Sequence, residues 1–151
     1  MKKVIIAIIG LALLFPACRY EEPSLSFTSV KKRIRGEWSL SKIYKNGEIT
    51  ETESPSVVES KSARYGFYKR EILIIKYNSG GILCESSGSW VFGEKKKTLN
   101  LVFLDQYYNL SREYEIVKFK NNELKVRFKD DKAVEWTLIL SLEYSFVPYD
   151  L

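Results

Sequence analysis

The chain has 151 residues, with 24 Lys and Arg against 19 Asp and Glu and a formal charge of +5. An excess this mild, spread along the whole chain, does not argue for nucleic acid. Histidine is absent and cysteine occurs only twice. Ser-His and Cys-His nucleophile pairs and imidazole metal sites are therefore excluded.

The first segment reads as targeting rather than structure. Lys2 and Lys3 precede an uninterrupted apolar run from Val4 to Phe15, which is too short for a spanning helix of roughly 20 residues. Pro16, Ala17 and Cys18 follow. Bulky Phe15 at position −3 opposes ordinary signal cleavage. An apolar −3, a small −1 and Cys at +1 suit lipoprotein processing instead, and Leu13-Leu14-Phe15-Pro16-Ala17-Cys18 resembles a bacterial lipobox. The resemblance implies a signal peptide over 1–17 and a lipid (palmitate or a similar acyl chain) on Cys18. It also implies attachment to the bacterial outer membrane, with the domain facing either the periplasm or the cell exterior. With Cys18 lipidated, Cys84 has no partner for a disulfide within the chain.

Residues 18–27 read as the lipidated cysteine and a polar tether, and 28–151 as one domain. Thr28 or Ser29 can cap a short helix through Arg35, with Val30 and Ile34 on one face and Lys31, Lys32, Arg33 and Arg35 around it. The pattern then changes to strands. Trp38 to Tyr44 ends at Asn46-Gly47, a strong hairpin signal, and Glu48 to Glu53 returns. Ser54 to Ala63 is a loop. Lys69 to Tyr77 and Ile82 to Phe92 flank Asn78-Ser79-Gly80-Gly81, with a bend or bulge expected at Gly88. Thr98 to Leu104, Arg112 to Lys120, Glu123 to Lys129 and Ala133 to Glu143 complete the set.

Eight strands joined mostly by short turns predict antiparallel neighbours. Leu99, Leu101 and Phe103, Leu124, Val126 and Phe128, and Trp136, Leu138 and Leu140 each mark one apolar face. No helix is long enough to cover such a sheet, so closing it on itself buries that face and removes the edges. The expected fold is all-β: an eight-stranded antiparallel up-and-down barrel with a short N-terminal helix. A two-sheet sandwich is the alternative.

Gly36-Glu37-Trp38, placed after a short helix, resembles the G-x-W motif that opens the first strand of lipocalins. Gly80-Gly81 and Gly88-Ser89-Trp90 resemble features of small bacterial lipocalin-like lipoproteins. The resemblance implies a barrel closed at one end by Trp38, with Gly36 and Trp38 as its structural motif, and a small apolar ligand inside. The chain departs from the family in three respects. It has no arginine beyond Arg127 and no long helix after the last strand, and Arg112-Glu113-Tyr114 only faintly echoes the family's second motif.

Reactive groups are sparse. Cys84 reads as a small buried hydrophobe in a strand. Asp130-Asp131 reads as a solvated turn, and Glu51 and Glu53 lie on a polar strand edge. No carboxylate pair stands in an apolar setting, and neither a phosphate loop nor metal spacing appears. No catalytic residue, cofactor or metal is expected. Lys95-Lys96-Lys97 reads as a basic hairpin tip, solvated or touching an acidic partner or headgroup.

Tyr65, Phe67, Tyr68, Tyr107 and Tyr108 fall in connections that could border a barrel mouth, at the end away from Trp38. With Trp90 and Trp136 they form the candidate ligand-binding set. Against this, the inward residues are mostly large, which predicts a small pocket at most. The first functional expectation is a non-enzymatic, lipid-anchored barrel binding a small apolar ligand. The alternative is an envelope module with a filled core that serves protein interaction or structure.

Overall fold

The computed structural model describes residues 29–104 and 109–146, so Cys18, Tyr107 and Tyr108 lie outside the described residues. Among these residues a one-turn helix, α1 (Val30–Arg33), is followed by nine strands. These are β1 (Gly36–Lys45), β2 (Glu48–Thr50), β3 (Arg64–Phe67), β4 (Ile72–Ser79), β5 (Ile82–Phe92), β6 (Thr98–Leu104), β7 (Asn109–Phe119), β8 (Glu123–Lys129) and β9 (Glu135–Ser145).

From β3 to β9 each strand pairs antiparallel with the next, and β9 returns to β1 along the whole length of that strand. Eight strands thus close into a barrel, as the alternating apolar faces require. The ninth, β2, stands outside the ring. It pairs with Ile43–Lys45 at the end of β1, while β3 pairs with Gly36–Ser39 at its beginning, on the same edge.

The membership of the ring therefore differs from the sequence reading. Glu48 to Glu53 is not the second barrel strand. Its acids leave it without an apolar face to bury, and pairing stops at Thr50. Arg64–Phe67, read as part of a long connection, takes that place, because Tyr65 and Phe67 bury their rings in the core. Similarly β4 begins at Ile72 rather than Lys69, since Arg70 and Glu71 adopt positive φ (57° and 62°), which no extended strand accommodates.

Gly88 is a site of close approach rather than a bulge. Its pairing runs on without a shift to Leu73 on one side and Phe103 on the other. A Cβ there would lie 2.2 Å from the Val102 carbonyl oxygen and 2.4 Å from the Phe103 Cβ. The register shifts fall elsewhere, in β1 beside Trp38 and Lys42 and in β7 between Ile116 and Lys118. Every inward residue named from the alternation is buried; Ile34, Ile43, Val58, Phe67 and Phe119 join them.

One end of the barrel gathers α1, the start of β1, and the β3–β4, β5–β6 and β7–β8 connections. Ser29 caps α1 by accepting from the Lys32 amide (3.3 Å), and Ile34 just beyond is fully buried. Trp38, also fully buried, donates its indole N–H to the Ile34 carbonyl at 2.8 Å and packs on Phe119 at 6.0 Å. The Arg33 guanidinium lies over the outer side of the same pile, 5.0 Å from the Phe119 ring. Gly36 permits the join, since a Cβ there would lie 2.5 Å from the Tyr144 carbonyl oxygen.

Candidate functional site

The opposite end, the barrel mouth, is stoppered by the connection that follows β2. A single 3-10 turn, Val57–Glu59, carries Val58 and Glu59 into full burial. The Tyr65 hydroxyl donates to the Val58 carbonyl at 2.6 Å. The Glu59 carboxylate accepts from the Ser56 hydroxyl at 2.7 Å and from the Tyr114 hydroxyl at 2.5 Å. Arg112 places Nε 3.1 Å from Glu59 Oε1, although that N–H is not aligned for a hydrogen bond. The same guanidinium stacks on Phe128 at 4.1 Å.

Burial pushes the Glu59 carboxyl above its ordinary 4.5, and the Arg112 charge and the two hydroxyls offset this only in part. Burial, with the neighbouring Glu59 charge, also raises the Tyr65 and Tyr114 phenols well above 10, so both remain hydroxyl donors. Sequence reading missed this cluster. Its one signal was Val57-Val58, an apolar pair set beside a carboxylate inside an otherwise polar loop.

Beneath the stopper the barrel is filled. The interior cavity between Tyr65, Tyr114, Leu101 and Leu138 measures about 10 Å³. That is about the space of one water, against roughly 300–1,000 Å³ for ordinary ligand pockets. Outside the stopper lies an open groove of about 580 Å³, edged by Lys45, Glu53, Arg112, Asp130, Asp131 and Trp136. Its charges are of both signs. No group of metal-ligating side chains occurs among the described residues, and none of their helices is long and apolar enough to cross a membrane.

The aromatic residues singled out from the sequence do not gather around this mouth. Phe67 and Trp90 meet edge to face at 5.7 Å, and the Trp90 indole donates to the carbonyls of Ile72 (3.0 Å) and Tyr68 (3.2 Å). Tyr68 is half-buried and stacks on Phe146 at 4.8 Å. The Tyr65 to Tyr68 segment, expected to border the end away from Trp38, instead runs toward the Trp38 end. The reason is its antiparallel pairing, in which Trp38 and Tyr65 are direct partners. Within that segment Tyr65 touches the stopper. Trp136 does lie at the mouth, where its indole donates to Asp130 Oδ2 at 2.9 Å.

Asp130 is more than a solvated turn residue. It also accepts from the amides of Lys132 and Val134, and these bonds, led by that from Trp136, hold its carboxyl below the ordinary value. Cys84 is half-buried at the edge of the core, its thiol 3.7 Å from the Ile82 carbonyl.

Among solved structures, the chain resembles insecticyanin from the tobacco hornworm Manduca sexta. The TM-score is 0.51 at 13% identity, over 78% of this chain and 67% of that one. The barrel is lipocalin-like. The odorant-binding protein from bovine nasal mucosa also matches, with a TM-score of 0.46 at 13% identity over 82% of this chain and 80% of that one. At such identity the likeness concerns the fold and leaves the function to be argued from the site. No family model matches the chain, and no curated protein matches it in sequence.

Proposed function

We propose that the protein is a non-enzymatic envelope lipoprotein, tethered to the bacterial outer membrane by lipid on Cys18, whose filled barrel works through its outer surface as an interaction or structural module. The observation that carries this reading is the interior cavity of about 10 Å³. A barrel with that little space offers a partner its exterior and loops. The lipobox-like run ending at Cys18 supports the anchor.

A second reading keeps the small apolar ligand, and the stopper favours it. Val57–Glu59 enters the mouth as a 3-10 turn held by side-chain contacts, not by strand pairing. Its departure would leave an apolar cup lined by Tyr65, Tyr114 and Phe128 without opening the barrel wall.

One titration separates the two. A fluorescent fatty acid is added to the full chain while tryptophan emission and melting temperature are followed. The filled-barrel reading expects no saturable quenching and no thermal shift. Saturable quenching with a matching rise in stability, about 2.7 kcal/mol at a hundredfold excess over Kd, would replace it with the ligand reading.

A further inference from the structure

We infer that the α1 end of the barrel is a docking face for an anionic lipid surface, so that the tethered domain rests on its own membrane with this end down. The inference rests on the lipid-anchor reading and adds an orientation and a lipid chemistry to it.

Four segments far apart in the chain bring exposed bases to this one end. They are Lys31 and Lys32 of α1, Arg70 after β3, Lys95-Lys96-Lys97 after β5, and Lys120 after β7. Contacts bind the segments into one surface. Lys31 Nζ reaches Glu71 Oε1 at 2.7 Å, Arg33 lies over Phe119, and the Ile116 amide donates to the Lys97 carbonyl at 2.8 Å. Glu71, Glu94 and Glu123 share this end with the bases but are outnumbered, whereas at the opposite end Glu48, Glu51, Glu53, Asp130 and Asp131 stand among Lys45, Lys61, Lys129 and Lys132, with Lys45 paired to Glu53 and Lys61 to Glu51. The excess of bases is thus gathered at the α1 end, while the mouth is mixed in sign.

At the mouth end positive φ is taken by Asn46-Gly47, Gly80-Gly81 and Ala133. At the α1 end the same left-handed conformation is adopted by Arg70 and Glu71, and by Lys95 and Lys96, with φ between 53° and 62°. Glycine or asparagine would fit there with less strain. Three of these four, Arg70, Lys95 and Lys96, are cationic, where conformation alone would favour glycine or asparagine.

The tether supplies the geometry. The chain enters the domain at Ser29, at this end, and the segment from Cys18 to Ser29 spans at most about 40 Å when extended. A lipid on Cys18 therefore bounds the distance of this end from the headgroups, and brings it closer to them than the mouth. There the attraction of lysines and arginines to anionic lipid acts over a screening length of about 8 Å.

The test uses the full, lipidated chain in phosphatidylcholine vesicles, with and without phosphatidylglycerol. A fluorophore is placed by K96C or, at the opposite end, K132C, each combined with Cys84→Ser, and a quencher is fixed in the headgroup layer. The K96C label should be quenched more strongly when phosphatidylglycerol is present. The difference should vanish at about 1 M salt, where screening is roughly 3 Å, while K132C stays indifferent. Lys32→Glu, Lys95→Glu and Lys97→Glu together should abolish the difference without lowering the melting temperature.

Equal quenching of both labels, or quenching at K96C that ignores phosphatidylglycerol and salt, would overturn the inference. So would saturable capture of a polyglutamate peptide with no response to the lipid, which would make the partner an acidic protein. Should the chain fail to stay on neutral vesicles, the anchor reading fails instead. Salt-sensitive flotation of that unanchored chain with phosphatidylglycerol vesicles then upholds the docking face, and its absence overturns it.

Discussion

Arg112 on β7 and Glu59 in the connection after β2 meet across the barrel mouth, with Nε 3.1 Å from Oε1. The pair is buried on the Glu59 side, and taking that carboxylate out of water costs more than the Arg112 charge and the Tyr114 and Ser56 hydroxyls return. The folded protein accordingly holds Glu59 protonated to a higher pH than the unfolded chain does. The stability linked to its neutral form is complete below the ordinary value of 4.5 and is lost as pH rises through the folded value. Glu59→Gln mimics the neutral carboxyl and should remove this component. Urea unfolding from mildly acidic to neutral pH should show the wild type losing stability relative to the variant. Parallel profiles would mean that the carboxyl ionises as it does in water. Asp130 and Glu123, both held below their ordinary values, act in a lower window, where their stabilisation is lost as pH falls.

Trp38 closes the α1 end, and its indole is committed to the Ile34 carbonyl. Trp38→Ala should lose about 3–5 kcal/mol, the usual cost of emptying a large aromatic site. Thermal unfolding checks this. An unchanged midpoint would show that neither the packing on Phe119 nor the bond to Ile34 matters to the fold.

Gly88 admits β6 to β5 at a distance no side chain permits. The atoms a Cβ would strike are the Val102 carbonyl and the Phe103 backbone and Cβ, none of which can swing away. Gly88→Ala should therefore destabilise by about 1–3 kcal/mol, in the range of overpacked cores. A control at Gly81, where a Cβ would meet nothing within 4 Å, separates steric conflict from its backbone requirement for positive φ. Equal melting temperatures for wild type and Gly88→Ala would contradict the close approach.

Most of the barrel was legible because a half-buried strand announces itself by period. Leu124, Val126 and Phe128 alternate with Lys125, Arg127 and Lys129, and the structure buries the first three. Arg64-Tyr65-Gly66-Phe67 was not legible as a strand. Four residues are too few for a period to show, and the polar loop before them masked the start. Glu48 to Glu53 misled in the other direction, because Asn46-Gly47 signals a hairpin whether or not the returning strand joins the ring. The stopper lay further out of reach. That a lone glutamate from a serine-rich loop would be buried depends on Arg112, Tyr114 and Phe128, none of them near it in sequence, and no local pattern encodes that meeting.

Cys18 is the test of the anchor. Cys18→Ser should abolish incorporation of labelled fatty acid into the protein, while the barrel, which begins well beyond it, keeps its melting temperature. Labelling equal to wild type would end the lipoprotein reading. Protease shaving of intact cells, compared with opened cells, then assigns the domain to the exterior or to the periplasm.

The ring is sealed by the ladder between β1 and β9, which joins the first strand of the domain to the last. During synthesis β1 emerges early and has only the short β2 and four residues of β3 to pair with until β9 arrives. The closing contacts are thus the most distant in sequence, and such topologies fold slowly because a large loop must be ordered before it gains its pairing. Until then Trp38, Leu40 and Ile43 lie along an open edge. A chain that emerges in the N-to-C direction therefore passes through a state with its apolar seam uncovered until the final strand is delivered.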